Sequence, residues 1–102
     1  MKIMDSDREG VHLIFCPGCK CAHWFSTTGR TPAQAKGDNS LKGPKWGWNG
    51  DRDKPTIQGS ILVLTGPNGV NRCHSLINDG KIQFLGDSTH ELSGKTVDLP
   101  DF

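Results

Sequence analysis

The side chains of this sequence that can bind a metal, four cysteines and four histidines, are mostly clustered rather than scattered. The segment from Cys16 to His23 carries three cysteines and a histidine, and Cys73-His74 and His90 follow in the second half. A Cys-x-x-Cys pair on a Pro-Gly turn is typical of a zinc knuckle and supplies half of a tetrahedral site. The other half must come from a distant part of the chain. The sequence therefore predicts a zinc ion (Zn²⁺) bound between the two halves of the chain.

The ligands that we expect at this site are Cys16, Cys19, Cys73 and His74. Cys73 and His74 are neighbours, and adjacent residues of a strand point to opposite faces. Both can bind the same ion only if the backbone bulges between them. His23 and His90 therefore compete with His74 for the fourth position, and Cys21 is an alternative to Cys19.

A site closed by three cysteines and one histidine leaves two of His23, His74 and His90 near the metal without a place in it. Such histidines either hydrogen-bond the ligands or act as acid–base groups or ligands of a second, open site. The first role is the one we expect. His12 stands alone at the start of a strand pattern, so we expect it on the surface or in a satisfied position of the core.

Length and charge limit the kinds of partner. We expect residues 1–102 to form a single zinc-binding β domain with a thin core, because small domains often need a metal as a staple. The net charge is +1, from 12 basic and 11 acidic residues. This balance disfavours non-specific binding to phosphates, so we expect a host or phage protein as partner rather than nucleic acid. Without an apolar leader or membrane-length run, we expect a cytoplasmic protein and no membrane contact.

The hydrophobic pattern predicts a mostly β fold with little helix, built as a small antiparallel meander plus a cysteine-rich zinc-knuckle hairpin, and resembling a zinc ribbon or β-tent. The expected elements are a hairpin of residues 11–15 and 23–27, a meander of strands 60–65, 71–77 and 81–85, and an edge strand at 96–99. Asp79-Gly80 is a strong hairpin-turn signal. One helical turn is predicted at 31–36, followed by a long irregular loop at about 37–55.

Two tryptophans, Trp46 and Trp48, lie in that loop. On an extended segment they share one face, where they either cover the thin core or form an exposed platform for a peptide or a base. We expect them to cover the core, because the chain has few other aromatic residues.

Longer strings of motifs carry a family resemblance. They are Trp46-x-Trp48-Asn49-Gly50-Asp51, Pro55-Thr56, Ser60-Ile61, Cys73-His74-Ser75 and the run from Asp79 to Leu99 that contains Asp87-Ser88-Thr89-His90. Across roughly residues 14 to 100 the chain resembles short proteins of tailed phages and prophages. That family carries legacy labels such as ammonia monooxygenase and anaerobic dehydrogenase.

The resemblance implies that the four expected ligands are metal-type positions shared by the family. Some relatives lie beside genes for bacterial ubiquitin-like conjugation, which implies a role in handling proteins. The legacy labels imply no activity, since the sequence has no copper-site or molybdenum-site pattern.

Two functions follow as hypotheses. We expect a small zinc-stabilised, phage-type protein that acts as a macromolecular binding module directed at proteins. The alternative is a zinc-dependent hydrolase that uses His23, His74 or His90 around an open metal position, with Asp87 as the base.

Overall fold

The computed structural model describes residues 1–30 and 43–102, and its strands form two antiparallel sheets. The strands are β1 (Met4–Asp5), β2 (Val11–Cys16), β3 (Cys21–Ser26), β4 (Gly47–Trp48), β5 (Ile57–Thr65), β6 (Asn71–Asn78), β7 (Lys81–Phe84) and β8 (Thr96–Asp98). A short 3-10 turn, Pro67–Gly69, joins β5 to β6. The prediction of a mostly β fold with a meander and a cysteine-rich hairpin is confirmed. The predicted helical turn at 31–36 and the start of the predicted loop, 37–42, lie outside the described residues.

The smaller sheet has the order β1-β2-β3 and contains the predicted hairpin. Its two long strands pair from Val11↔Ser26 to Cys16↔Cys21. Ile14 and Cys16 of β2 and His23 and Phe25 of β3 are buried and lie on one face, as the period of a pleated strand requires. Lys20 closes the hairpin with a left-handed backbone (φ 59°), and its N–H donates to the carbonyl of Cys16 at 2.8 Å. The cysteines therefore lie at the tip of the hairpin.

The larger sheet has the order β4-β5-β6-β7-β8, in which each strand pairs with the next along the chain. The tight turn between β6 and β7 is the predicted one, because Asn78 pairs with Lys81. Asp79 and Gly80 both have positive φ angles, of 51° and 77°. Positive φ at both central residues matches the twist of the flanking strands.

One face of the larger sheet packs against the smaller sheet. The residues of β6 alternate, so that Cys73, Ser75 and Ile77 are buried while the residues between them are partly or fully exposed. The buried apolar core draws on both sheets and comprises Ile3, Ile14, Cys16, Phe25, Ile57, Ile61, Cys73, Ile77, Ile82, Phe84 and Leu99. The larger sheet thus has an inner, buried face and an outer face open to solvent.

Both tryptophans of the predicted loop pack against this core. The Trp48 ring lies 5.9 Å from Phe25 and the Trp46 ring 5.7 Å from Trp24, each edge to face. The indole N–H of Trp46 donates to the carbonyl of Ser60 at 2.9 Å. The tryptophans therefore cover the core, as expected. Within residues 1–30 and 43–102, no helix has the length and apolar character needed to cross a membrane.

Candidate metal centre and a neighbouring histidine–aspartate pair

Four side chains that can bind a metal meet between the two sheets: Cys16, Cys19, His23 and Cys73. One potential ligand atom from each lies within 4.8 Å of all the others. The sulfur atoms of Cys16 and Cys73 are 3.7 Å apart. Two thiolates bound tetrahedrally to one zinc at about 2.3 Å lie about 3.8 Å from each other. The cluster is therefore compatible with a zinc ion.

The hairpin and the meander each contribute to this cluster. Cys16 ends β2, Cys19 lies in the turn, and the N–H of Cys19 donates to the Cys16 sulfur at 3.3 Å. That amide-to-sulfur hydrogen bond is the expected feature of a zinc knuckle. Cys73 comes from β6, which is 57 residues further along the chain than Cys16. The cluster thus brings together residues of both sheets.

His23 is oriented as a ligand. Only 5% of the residue is exposed, and its Nδ1–H donates to the carbonyl of Ala22 at 3.1 Å. This hydrogen bond leaves a lone pair on Nε2, which is buried and has no hydrogen-bond partner among residues 1–30 and 43–102. Buried polar atoms are nearly always satisfied, and a ligating histidine commonly donates its other ring N–H to a carbonyl. A metal bound at Nε2 would satisfy this atom.

The three thiols of the cluster differ in how readily they ionise. The hydrogen bond with Cys73 lowers the pKa of Cys16 to about 3, and the same hydrogen bond raises the pKa of Cys73. Burial, reinforced by the charge on Cys16, raises the pKa of Cys19 to about 11. Without a cation, Cys16 therefore ionises, and Cys19 and Cys73 stay protonated. A divalent ion would remove that conflict and allow all three to be thiolates.

Of the four expected ligands, the structure brings together the three cysteines but not His74. The pairs Val63↔Cys73 and Leu62↔His74 follow each other without a bulge. Because β6 is regular here, its neighbouring side chains point to opposite faces, and His74 lies on the outer face. His23 stands where His74 was expected. The hairpin's alternation could have identified it, since His23 pairs with Ile14 on the buried side.

The other candidate residues lie outside the cluster. Cys21 is an exposed free thiol. The ring of His90 packs edge to face on Phe84 at 4.5 Å, and its Nδ1 accepts a hydrogen bond from the N–H of Leu92. His12 pairs with Asp5, with Nδ1 2.8 Å from a carboxylate oxygen. Neither histidine contributes a ligand atom to the cluster.

A second arrangement lies on the outer face, directly behind the cluster. Nδ1 of His74 is 3.1 Å from a carboxylate oxygen of Asp87, and the Arg72 guanidinium is 3.2 Å from the same carboxylate. Partial desolvation of Asp87 opposes its ionisation. The hydrogen bonds from Arg72 and His74 outweigh that effect and hold the pKa of the Asp87 carboxyl below its ordinary value.

The backbone around His74 is fixed from the side of β7. The hydroxyl of Ser88 accepts a hydrogen bond from the His74 N–H at 3.1 Å and donates to the His74 carbonyl at 3.2 Å. The N–H of Leu85 donates to the same carbonyl at 2.9 Å. An imidazole whose Nδ1 is paired with a carboxylate can exchange protons at Nε2, as in hydrolases with an oriented histidine base.

In the comparison with known proteins, the chain matches one family model. A family model described as a bacterial ubiquitination-like system serine protease (BubE) matches residues 1–85, which is most of the chain. No curated protein and no solved structure matches the chain. The match agrees with the link to ubiquitin-like conjugation that the motifs implied. It supports neither the phage origin nor the legacy labels.

Proposed function

The chain belongs to the BubE family, the bacterial ubiquitination-like system serine proteases, and from this membership we propose that it is a serine-type peptidase directed at proteins of such a system. The observation that carries the proposal is the hydrogen bond between His74 and Asp87 on the outer face of the sheet. The metal cluster is assigned a separate task, which is to hold zinc and stabilise the fold.

The histidine–aspartate pair supplies a general base. With Nδ1–H donated to Asp87, the lone pair of Nε2 is free to take the proton of a serine hydroxyl as its oxygen attacks a peptide carbonyl. The same Nε2–H then protonates the leaving amine, and water releases the acyl group by the reverse sequence. Asp87 stays ionised throughout, because its low pKa is set by Arg72 and His74 together.

Ser60 is the serine best placed as nucleophile. It is exposed on β5 two residues before Leu62, which lies directly opposite His74. In a regular antiparallel ladder, residues related in this diagonal way are about 7–8 Å apart. The register of β5 with β6 shifts between Ile57 and Ile61, so Ser60 lies in an irregular part of the strand, where a bulge can re-aim its side chain. Ser75 lies on the buried face, and the hydroxyl of Ser88 is engaged with the backbone of His74.

Zinc bound by Cys16, Cys19, His23 and Cys73 would have four protein ligands and no open position for water. A catalytic zinc keeps such a position. Asp87 lies on the outer face with His74, away from the cluster, and so does not serve as a base for a metal-bound water. These two features count against the zinc-dependent hydrolase that the sequence offered as an alternative.

A protein-binding module without catalysis is the second candidate. The observation in its favour is that Leu62 and Leu64, 49% and 50% exposed, lie on the same outer face as His74. Half-exposed leucines beside one another are suited to contact with another protein. This candidate keeps the same zinc site and the same protein partners, and it differs only in predicting no cleavage.

A cleavage assay with matched variants decides between the two. The zinc-loaded protein is incubated with a bacterial ubiquitin-like protein fused at its C-terminus to a reporter. We expect cleavage to fall by about 10⁴-fold or more in Ser60→Ala and in His74→Ala. Ser93→Ala removes a hydroxyl that donates to the carbonyl of Leu85, and it is the control that should keep full activity.

Covalent labelling provides an independent readout. A fluorophosphonate probe should modify the wild-type protein at Ser60 and fail to modify His74→Ala, because the base is needed to activate the hydroxyl. Cleavage that survives in Ser60→Ala would overturn the peptidase assignment. Binding of the fusion protein without cleavage by the wild-type chain would favour the binding module instead.

A further inference from the structure

The outer edge of β5 has little covering in the described part of the chain. β5 is nine residues long and pairs with β6 along most of that length. On its other side, β4 pairs with it only at Gly47↔Gln58 and Trp48↔Ile57. Among residues 1–30 and 43–102, no strand pairs with this side of β5 after Gln58. The edge from Gly59 to Thr65 is therefore available as a template for another strand.

The hydrogen-bond pattern shows which backbone groups face this edge. The N–H and C=O of His74 and of Arg72 bond toward the segment after β7, so neither residue exchanges backbone hydrogen bonds with its partner on β5. Those partners are Leu62 and Leu64. Their own N–H and C=O groups therefore point away from β6. The carbonyl of Ser60 points the same way, because it accepts the indole N–H of Trp46.

The composition of the edge is unusual for one that is left open. Exposed edge strands generally carry charges, prolines or bulges that discourage pairing with other chains. From Gly59 to Thr65 the sequence is Gly-Ser-Ile-Leu-Val-Leu-Thr, without a charge or a proline. The register of β5 with β6 shifts between Ile57 and Ile61, and from Ile61 to Thr65 the pairing is regular. An uncharged edge complements an uncharged extended segment, because no lysine or aspartate is desolvated when the two pair.

We propose that the protein binds its substrate as an added β-strand along this edge, with an extended, uncharged polypeptide segment as the occupant. The outward N–H and C=O groups of Leu62 and Leu64 supply hydrogen bonds that are independent of the substrate's sequence. Leu62 lies directly opposite His74, so the bound segment runs next to Ser60 and is separated from the strand of His74 only by β5. The catalytic consequence of this binding rests on the proposed peptidase function, whereas the binding itself does not.

The length of the free edge favours a peptide over a second copy of the chain. The indole N–H of Trp46 already donates to the carbonyl of Ser60. The backbone groups that remain for an added strand are therefore mainly the N–H and C=O of Leu62 and of Leu64. Pairing over so few residues falls well short of the roughly 1,000 Å² that a specific interface between folded proteins buries. It is enough to align a flexible segment, since a peptidase must hold its substrate and then release the products.

Binding is tested with the zinc-loaded Ser60→Ala protein and a capped seven-residue peptide of alternating threonine and valine. The peptide should slow hydrogen exchange at the amides of Leu62 and Leu64. Leu64→Pro deletes an outward N–H at a position where an edge strand tolerates proline. It should weaken peptide binding about tenfold or more relative to Leu64→Ala, which removes the side chain and keeps the N–H.

The outcomes separate this proposal from the peptidase assignment. Equal affinity of the peptide for Leu64→Pro and Leu64→Ala would overturn the edge site, even if the wild-type protein cleaves its substrate. Protection of the same two amides by raising the protein concentration without peptide would also overturn it, in favour of a second copy. Peptide binding that Leu64→Pro abolishes would support the edge site, even if no cleavage is ever observed.

Discussion

Cys73 and His74 are consecutive on β6, yet their side chains lie on opposite faces of the larger sheet. Cys73 faces inward and joins the cluster of cysteines and His23, whereas His74 faces outward and pairs with Asp87. One strand thus carries a residue of the metal cluster on one face and the proposed catalytic base on the other. Disturbing the inner site is expected to disturb the outer one through this strand, while the reverse is not expected.

The first prediction concerns the thiolates. Cys73→Ser should lose zinc and with it the folded state, because about 10 kcal/mol or more of metal-binding free energy is folding free energy in a structural site. Cys21→Ser is the matched control, since Cys21 is exposed and outside the cluster. Metal analysis and amide NMR dispersion check both variants. Equal damage from Cys21→Ser would mean that a different pair of cysteines builds the knuckle.

The second prediction concerns His23. His23→Ala should release the zinc or weaken its binding at least a hundredfold, because it removes a buried Nε2 that has no hydrogen-bond partner in the described part of the chain. His12→Ala is the control: its ring pairs with Asp5 and packs against Phe25 and Trp48, outside the cluster, so its removal should leave zinc binding unchanged. Competition with a chromogenic chelator measures both affinities. Wild-type affinity in His23→Ala would remove this histidine from the ligand set.

The third prediction concerns pH. Cys16 has a pKa of about 3 and is already a thiolate at neutral pH, whereas Cys19, at about 11, and Cys73, also raised, must each lose a proton to bind zinc. Zinc affinity should therefore rise with pH, by about a factor of 100 per pH unit between about pH 7.5 and 9. Titrations across that range measure the slope. A factor of 1,000 per unit would show that all three thiols are protonated in the metal-free protein.

The fourth prediction concerns the knuckle turn. A Cβ added at Gly18 would overlap the imidazole of His90, which packs over the turn. Gly18→Ala should therefore lower the free energy of unfolding of the zinc-loaded protein by about 1–3 kcal/mol, as overpacking does. The double variant Gly18→Ala/His90→Ala should recover part of that loss, because it removes the overlapping ring. Denaturant unfolding of the two single variants and the double variant measures the coupling. Strict additivity would show that the ring does not constrain the turn.

Local patterns in the sequence were sufficient to predict most of the fold. The strands around the Asp79-Gly80 turn and the knuckle hairpin follow from alternation and turn chemistry, which act over a few residues. The short strands β1 and β4 were not predicted. A two-residue strand has no periodicity of its own, and its existence depends on pairing with a distant partner.

Three residues of the candidate metal cluster, Cys16, Cys19 and Cys73, are among the ligands expected from the sequence, whereas His23 was expected only as an alternative to His74. Both His23 and His74 are near cysteines in the chain, so spacing alone does not separate them. The choice depends on which face each residue takes, and that follows from the register of β6 with β5. The proposed role of Ser60 was likewise not predicted, because its relation to His74 depends on the pairing of Leu62 with His74.

The most direct test of the account is the zinc content of the purified His74→Ala protein, measured together with its cleavage of the ubiquitin-like fusion. If the metal site is structural and separate from the outer His74–Asp87 pair, the His74→Ala protein should contain one zinc per chain. It should also melt close to the temperature of the wild type and show no cleavage. Loss of zinc and of the folded state in His74→Ala would contradict it, because His74 would then belong to the metal site on the inner face.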